Sequence, residues 1–459
     1  MIARGGAPMN IANGIREFGA STPSATAVID GDRTLTYAAL DERASRFANA
    51  MLAAGVSAGE CVGVLLGNRL EYPEIAAGLA KAGMPMVPVN PRLTAPEVSY
   101  ILEHSEARAL VLDDALSEVA APAAEGIAKV FSIDGTSLGP SYEDALSAAS
   151  VTDPMVVVDE LEPFCIAYTS GTTGKPKGVQ ISHRSRCLTF LGTAIEWGLA
   201  PGRRTIAVAP LYHGAGFAFG YGALHVGATV SMLRAFDPGA LMAMVERDRA
   251  QTVFLVPTHA QMIRAADVAT ARDTSSLDTL YFNAAPMPQE LKLWVMDTLP
   301  HVGLHELYGS TEAGIISNLR PADQRRKQRC VGPPWLMTEV RIVDADGNVL
   351  GRDATGELYS RSPYLMNGYL KDDEATAACT TGDGFITCGD IVHVDDEGYL
   401  YVVDRVKDVI DRRDLVSDEV DHADRRDRAE HDRVLETVER GVQRDQVGGP
   451  CQDAGDQQR

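Results

Sequence analysis

This chain has no C-x-x-C pair, no apolar opening of the kind a signal peptide needs and, over its last 49 residues, no lysine, isoleucine, methionine or aromatic side chain. Each absence excludes something. Seven cysteines, odd in number and scattered (Cys61, Cys165, Cys187, Cys330, Cys379, Cys388, Cys451), build neither a disulfide framework nor a zinc site and fit a reducing cytoplasm. The first residues, MIARGGAPMNIANGIREFG, argue against export. Lys plus Arg total 42 against 63 Asp plus Glu, and the formal charge of −21 opposes nonspecific attachment to nucleic acid or anionic lipid. Any phosphate site must be a local exception. Between Ala207 and Leu233 there is no Asp, Glu, Lys or Arg, yet Pro210, His213, His225 and five glycines make this buried core or pocket lining rather than a transmembrane helix, with APLYHGAGF read as a turn.

What is present reads as a globular α/β protein. The 459 residues, 45% hydrophobic and 23% charged, suffice for two or more cores. Residues 36–52 place Leu40, Ala44, Phe47 and Met51 on one helical face. CVGVLLGN then predicts a buried strand, YPEIAAGLAKAG a helix, MPMVPVNP a strand with edge-like prolines, APEVSYILEHS a helix and ARALVL a strand. The alternation continues through TIAVAP, GALMAMVERDRA, TVFLVP, HAQMIRAA and TLYFNAAP, which implies βαβ sheets and contains no tandem repeat. From about Val331 the texture turns to short alternating strands joined by Asp-Gly and Glu-Gly turns.

Between the two α/β stretches lies YTSGTTGKPKG, Tyr168 to Gly178, after the strand-like PFCIAYT. Glycine, proline and clustered hydroxyls favour a loop. By composition alone it is equally a linker or a polyanion cradle. It is not a G-x-x-x-x-G-K-[ST] loop, because Thr169 stands where the first Gly is needed and Pro176 follows Lys175. Downstream come YGSTEAG (Tyr308 to Gly314), GEL (Gly356 to Leu358), CGD (Cys388 to Asp390) and DRVKD (Asp404 to Asp408).

In this order and spacing the set resembles the adenylate-forming superfamily of acyl-CoA synthetases, peptide-synthetase adenylation domains and luciferases, over roughly residues 10 to 410. The resemblance implies the large N-terminal domain of that superfamily, two βα sheet subdomains and a distorted β-barrel, over residues 1–404 with the β-rich part from about 331, then a hinge at 405–410 containing Lys407. It implies ATP and Mg²⁺ binding, with coenzyme A as co-substrate. Thr169, Ser170, Gly171, Thr172, Thr173, Gly174 and Lys175 would clamp the β- and γ-phosphates. Tyr308 would stand by the adenine, with Gly309 and Ser310 beside it, Thr311 would touch phosphate, and Glu312 would hold Mg²⁺. Asp390 would accept the ribose hydroxyls, with Arg405 nearby. Asn283, Ala284, Ala285 and Pro286 fall where relatives carry a Gly-Gly-Ala-Pro adenine wall, so two glycines are missing. His213 aligns with a histidine beside the carboxylate tunnel. No Asp stands near it to bind an ammonium, which favours a plain carboxylic acid, fatty or aryl, with an apolar tail.

The resemblance stops near Ile410. Residues 411–459 hold 10 Asp, 4 Glu and 9 Arg, a composition that cannot build a core, and read as an out-of-frame translation or a natural replacement of the lid domain. A lone helix carrying Val434, Leu435, Val438 and Val442, or disorder, is expected there. The late lysine that relatives use for adenylation has no counterpart. The expectation is therefore weak adenylation at best, and a noncatalytic nucleotide- or acyl-binding protein with a partner-recruiting tail is the competing reading.

Overall fold

Buried strands alternating with amphipathic helices fold into two mainly parallel sheets, followed by an antiparallel third. The computed structural model describes residues 8–169 and 175–405. The seven-stranded sheet runs in the order Gly368–Tyr369, Lys177–Ser182, Pro163–Thr169, Met86–Val89, Val62–Leu65, Ala109–Asp113, Lys129–Ile133. The eight-stranded sheet runs Gly314–Leu319, Gly303–Ser310, Thr279–Phe282, Thr252–Leu255, Arg204–Ala207, Thr229–Met232, Thr26–Asp30, Arg33–Thr36. Its first and last pairs are antiparallel and the rest parallel. Five antiparallel strands from Glu339 to Arg405 stand where the sequence predicts the distorted barrel.

One buried cluster joins the two large sheets, taking Val64, Val111 and Ala167 from one and Val28, Val230 and Met232 from the other. Helix Glu71–Ala82 is buried along all twelve of its residues. Its charged side chains survive there because each is paired, as burial of a charge demands. Arg43 donates to both oxygens of Glu74 at 2.6 and 2.9 Å, the Tyr142 hydroxyl donates to Glu74 at 2.7 Å, and Lys81 Nζ donates to Asp41 at 2.6 Å. Helix Tyr37–Ala53 buries Leu40, Ala44, Phe47 and Met51, the face its sequence marks.

Two local expectations are corrected. Met86–Val89 is a central strand, not an edge, despite its prolines. Pro88 is tolerated because the ladder to Pro163–Thr169 is short, registered at Met86 and Cys165, two residues before it. The expected turn over APLYHGAGF ends at His213, and Gly214 to Phe217 begin helix Gly214–His225. Burial on nearly every side overrides the low helix propensity of its glycines. Among the described residues no helix is long and apolar enough to cross a membrane.

Candidate functional site

The tightest gathering of sequence-marked residues forms around a hairpin. Tyr308, Gly309 and Ser310 end strand Gly303–Ser310, residues 311–313 turn, and Gly314 starts the antiparallel return. Gly314 has φ +70°, and a Cβ on Gly309 would lie 2.0 Å from the Gly314 carbonyl oxygen, so both positions require glycine. Ser310 Oγ accepts the Ala313 N–H at 3.0 Å and closes the turn. This local closure fixes where Thr311 and Glu312 project.

Glu312 is held twice. Its carbonyl accepts the Met366 N–H at 2.8 Å, and its Oε1 accepts the Tyr369 hydroxyl at 3.1 Å. Burial first, and the Glu312 charge second, raise the Tyr369 phenol far above its ordinary pKa, so it stays a donor. Lys177, two residues past Lys175, places its Nζ 5.0 Å from the centre of the Tyr369 ring and pairs with Asp372 at 3.5 Å. The root of the glycine loop is thereby tied to the hairpin acid.

Asp390 lies in strand Ile386–Val394, directly across from Arg405. It is buried, and both of its oxygens are occupied: the Tyr308 hydroxyl donates to Oδ2 at 2.5 Å and Arg405 Nε donates to Oδ1 at 2.9 Å. Burial, then the Asp390 charge, hold the Tyr308 phenol protonated, and the same carboxylate raises the Arg405 pKa. Beside it the Cys388 thiol, 3.0 Å from Ser310 Oγ, is pushed up to about 12 by burial and stays protonated at neutral pH.

The loop itself is visible only at its roots. Thr169 pairs with Lys177 across the strands, while Ser170, Gly171, Thr172, Thr173 and Gly174 lie outside the described residues, as do Lys407 and residues 411–459. Lys175 is exposed, its Nζ 5.7 Å from the centre of the Tyr100 ring. The Tyr100 hydroxyl donates to the Pro176 carbonyl at 3.0 Å, and His104 Nδ1 lies 2.8 Å from the Tyr168 hydroxyl. Burial first, then the Lys371 charge, lower the His104 pKa. Sequence reasoning passed over Tyr100 and His104, although their spacing of four on helix Ala95–His104 puts them on one face. It also missed Tyr369 and Lys177, whose pairing with the hairpin nothing local announces.

Two further sequence-marked elements carry no hydrogen bond to this web among the described residues. His213 caps helix Gly214–His225 from its N-terminal side, its carbonyl accepting the Phe217 N–H at 2.8 Å. The residue is exposed overall, yet partial desolvation of its ring, and secondly the Arg92 charge, hold its pKa below the ordinary value. Asn283–Pro286 follow strand Thr279–Phe282, and Ala284 has φ +74°, the left-handed region a glycine would occupy without strain. Asn283 Oδ1 accepts the Ala284 N–H at 2.6 Å and steadies that conformation.

With this geometry in place, residues 15–370 match the AMP-binding enzyme family. The chain belongs to that family. It is 37% identical over 395 residues to a feruloyl-CoA synthase of an Amycolatopsis species, covering 85% of this chain and 77% of the relative. To a 4-coumarate–CoA ligase-like protein of Arabidopsis thaliana it is 30% identical, over 82% of this chain and 70% of that one. The fold is shared with the N-terminal domain of FACL13 from Mycobacterium tuberculosis at a TM-score of 0.80 and 27% identity, covering 87% of this chain and all (100%) of that domain. For an AMP-binding enzyme the donor set fits a hard cation at one point. Glu312 Oε2 has no hydrogen-bond partner among the described residues, whereas Oε1 is committed to Tyr369.

Proposed function

We propose that this chain activates a carboxylic acid, fatty or aryl, with ATP to give an acyl adenylate, the first half of acyl-CoA formation. By class it is an acid–thiol ligase, as its family and its CoA-ligase relatives support. The observation that carries the reading is the bonded web in which Tyr308 and Arg405 share Asp390, while Tyr369 links Glu312 to Lys177 at the loop root.

In this reading Asp390 receives the ribose hydroxyls, Tyr308 stands at the adenine beside Gly309 and Ser310, and Asn283 to Pro286 form the wall on the other side. Thr169 through Lys175, with Thr311, hold the phosphates. Glu312 would hold Mg²⁺, which supplies Lewis-acid charge neutralisation when bound. The acid presents a carboxylate oxygen in line to the α-phosphorus; the new P–O bond forms as the bond to the bridging oxygen breaks, and pyrophosphate departs. No proton moves in that step. His213, kept below its ordinary pKa, flanks the entering acid as a neutral imidazole and adds no cation there. In the second half the coenzyme A thiolate attacks the acyl carbon and AMP leaves, a step for which relatives swing a small domain about the position of Lys407.

Residues 411–459 contain no lysine to assist adenylation. The chain is accordingly proposed to bind nucleotide and acid, to adenylate weakly at best and to form no appreciable thioester. ATP–pyrophosphate exchange with a panel of carboxylic acids tests this. Slow, acid-dependent exchange supports the reading. ATP binding with no exchange for any acid favours a noncatalytic binding protein instead, and acyl-CoA formed at an ordinary enzyme's rate refutes the impairment.

A further inference from the structure

One buried side chain, Asn68, is bonded to four backbone groups of a distant stretch of chain. It follows strand Val62–Leu65 and precedes helix Glu71–Ala82, in the half of the protein built on the seven-stranded sheet. Its Nδ2 donates to the carbonyls of Ala207, Ala209 and Leu233 at 3.0, 3.2 and 3.3 Å, and its Oδ1 accepts the Leu211 N–H at 2.8 Å. Ala207 ends strand Arg204–Ala207 and Leu233 follows its neighbour Thr229–Met232, so these bonds cross from one large sheet to the other.

The backbone it serves explains the arrangement. The strand stops at Ala207, and helix Gly214–His225 takes over only at Gly214. Between them Pro210 has no N–H, and Ala209 and Leu211 are buried, so water does not pair their backbone groups. Asn68 supplies a donor for the Ala209 carbonyl and an acceptor for the Leu211 N–H. A short side chain doing both must be an amide, since a carboxylate lacks the donor and an aliphatic chain lacks both.

The stretch so held carries His213. Leu211 lies two residues before it, and the His213 N–H donates to the Pro210 carbonyl at 3.0 Å. From the other direction the helix leaves no slack: a Cβ on Gly216 would stand 2.0 Å from that same carbonyl, and one on Gly220 would stand 2.6 Å from Leu211 Cδ2. Asn68 makes no hydrogen bond to Tyr308, Glu312, Tyr369 or Asp390 among the described residues, whose own bonds close on one another and on Arg405.

We propose that Asn68 is a positioning residue for the acid: it fixes Leu211, and through it His213, so that the acid's place is assembled across both large sheets while the nucleotide wall does not depend on it. This rests on the acid-activating reading above, in which His213 flanks the entering acid.

The test is titration calorimetry with octanoate and cinnamate in the presence of α,β-methylene-ATP and Mg²⁺, set beside titration of ATP alone, with thermal unfolding of each variant read alongside. Asn68→Leu removes all four contacts and should weaken acid binding about 10- to 100-fold while ATP affinity stays within twofold. Asn68→Ser, whose hydroxyl both donates and accepts, should lose less. Acid and ATP affinities falling together, or acid affinity unchanged in folded Asn68→Leu, would overturn the proposal. Hydrogen exchange on the wild-type chain needs no variant: residues 211–214 should exchange more slowly with acid and analogue bound together than with the analogue alone. Equal exchange in those two states, with the acid bound, would also overturn it. Wild-type protein that binds ATP but neither acid would defeat the acid-activating reading itself, and this inference with it.

Discussion

The two walls proposed to face the nucleotide are built by opposite means. On the side of Tyr308 and Asp390, side chains from three elements are bonded to one another, and the buried carboxylate has both oxygens occupied. On the side of Asn283 to Pro286, residues 284–286 are exposed, and the segment is held mainly by an Asn283 side chain bonded to the next residue, with Ala284 at positive φ. One wall stores order in polar contacts. The other stores strain in backbone. A polar wall should fail abruptly when one member is removed, whereas a strained wall should improve when the strain is relieved.

The largest expected effect is on the bonded wall. Asp390→Ala leaves the Tyr308 hydroxyl and Arg405 without their acceptor, and ATP affinity should fall about 100-fold, in line with truncating one partner of a buried charge pair. Titration calorimetry checks this; a loss under threefold would show that the web is not the ribose side. A control away from both walls comes next. His183 is buried, its Nδ1 accepts the Ile11 N–H at 3.3 Å, and burial, then the Arg16 charge, push its pKa down to about 4 from 6.5. The stability it contributes is complete above pH 6.5, where folded and unfolded forms are both neutral, and is lost as pH falls toward 4, because the unfolded chain takes the proton first. Denaturant melts at pH 7 and pH 4.5 should differ more in wild type than in His183→Gln, by on the order of 1–3 kcal/mol.

Glu312→Gln removes the charge but keeps the shape, and should cost about tenfold in Mg²⁺-dependent ATP affinity, the order expected for one charged ligand contact, while metal-free nucleotide binding stays within twofold. Equal losses with and without the metal would take Glu312 out of that role. The smallest effect has the opposite sign. Ala284→Gly should stabilise the chain by about 1 kcal/mol, relief of the left-handed strain less the flexibility glycine adds to the unfolded state. A lower melting temperature in that variant would mean the strain is not there.

Legibility in the sequence followed the range of the interaction. Strands such as Val62–Leu65 and helices such as Tyr37–Ala53 are written in local periodicity and form as read. Pro88 and Gly214 mislead because sheet position and burial outweigh residue preference there. At the site, the segment Tyr308 to Gly314 was legible only as a motif of the family it resembles, and the missing glycine at position 284 is recorded in the fold as a positive φ. Tyr369 was not legible, because its bond to Glu312 spans 57 residues and depends on a two-residue edge strand, Gly368–Tyr369, joining the seven-stranded sheet.

The central claim is that the bonded wall and the loop root together hold a magnesium-complexed nucleotide. Titration of ATP into folded wild-type chain, with and without Mg²⁺, tests it most directly. Saturable uptake that weakens when the metal is withheld and is lost in Asp390→Ala is the predicted result, and the absence of any metal-dependent uptake by folded protein would contradict it.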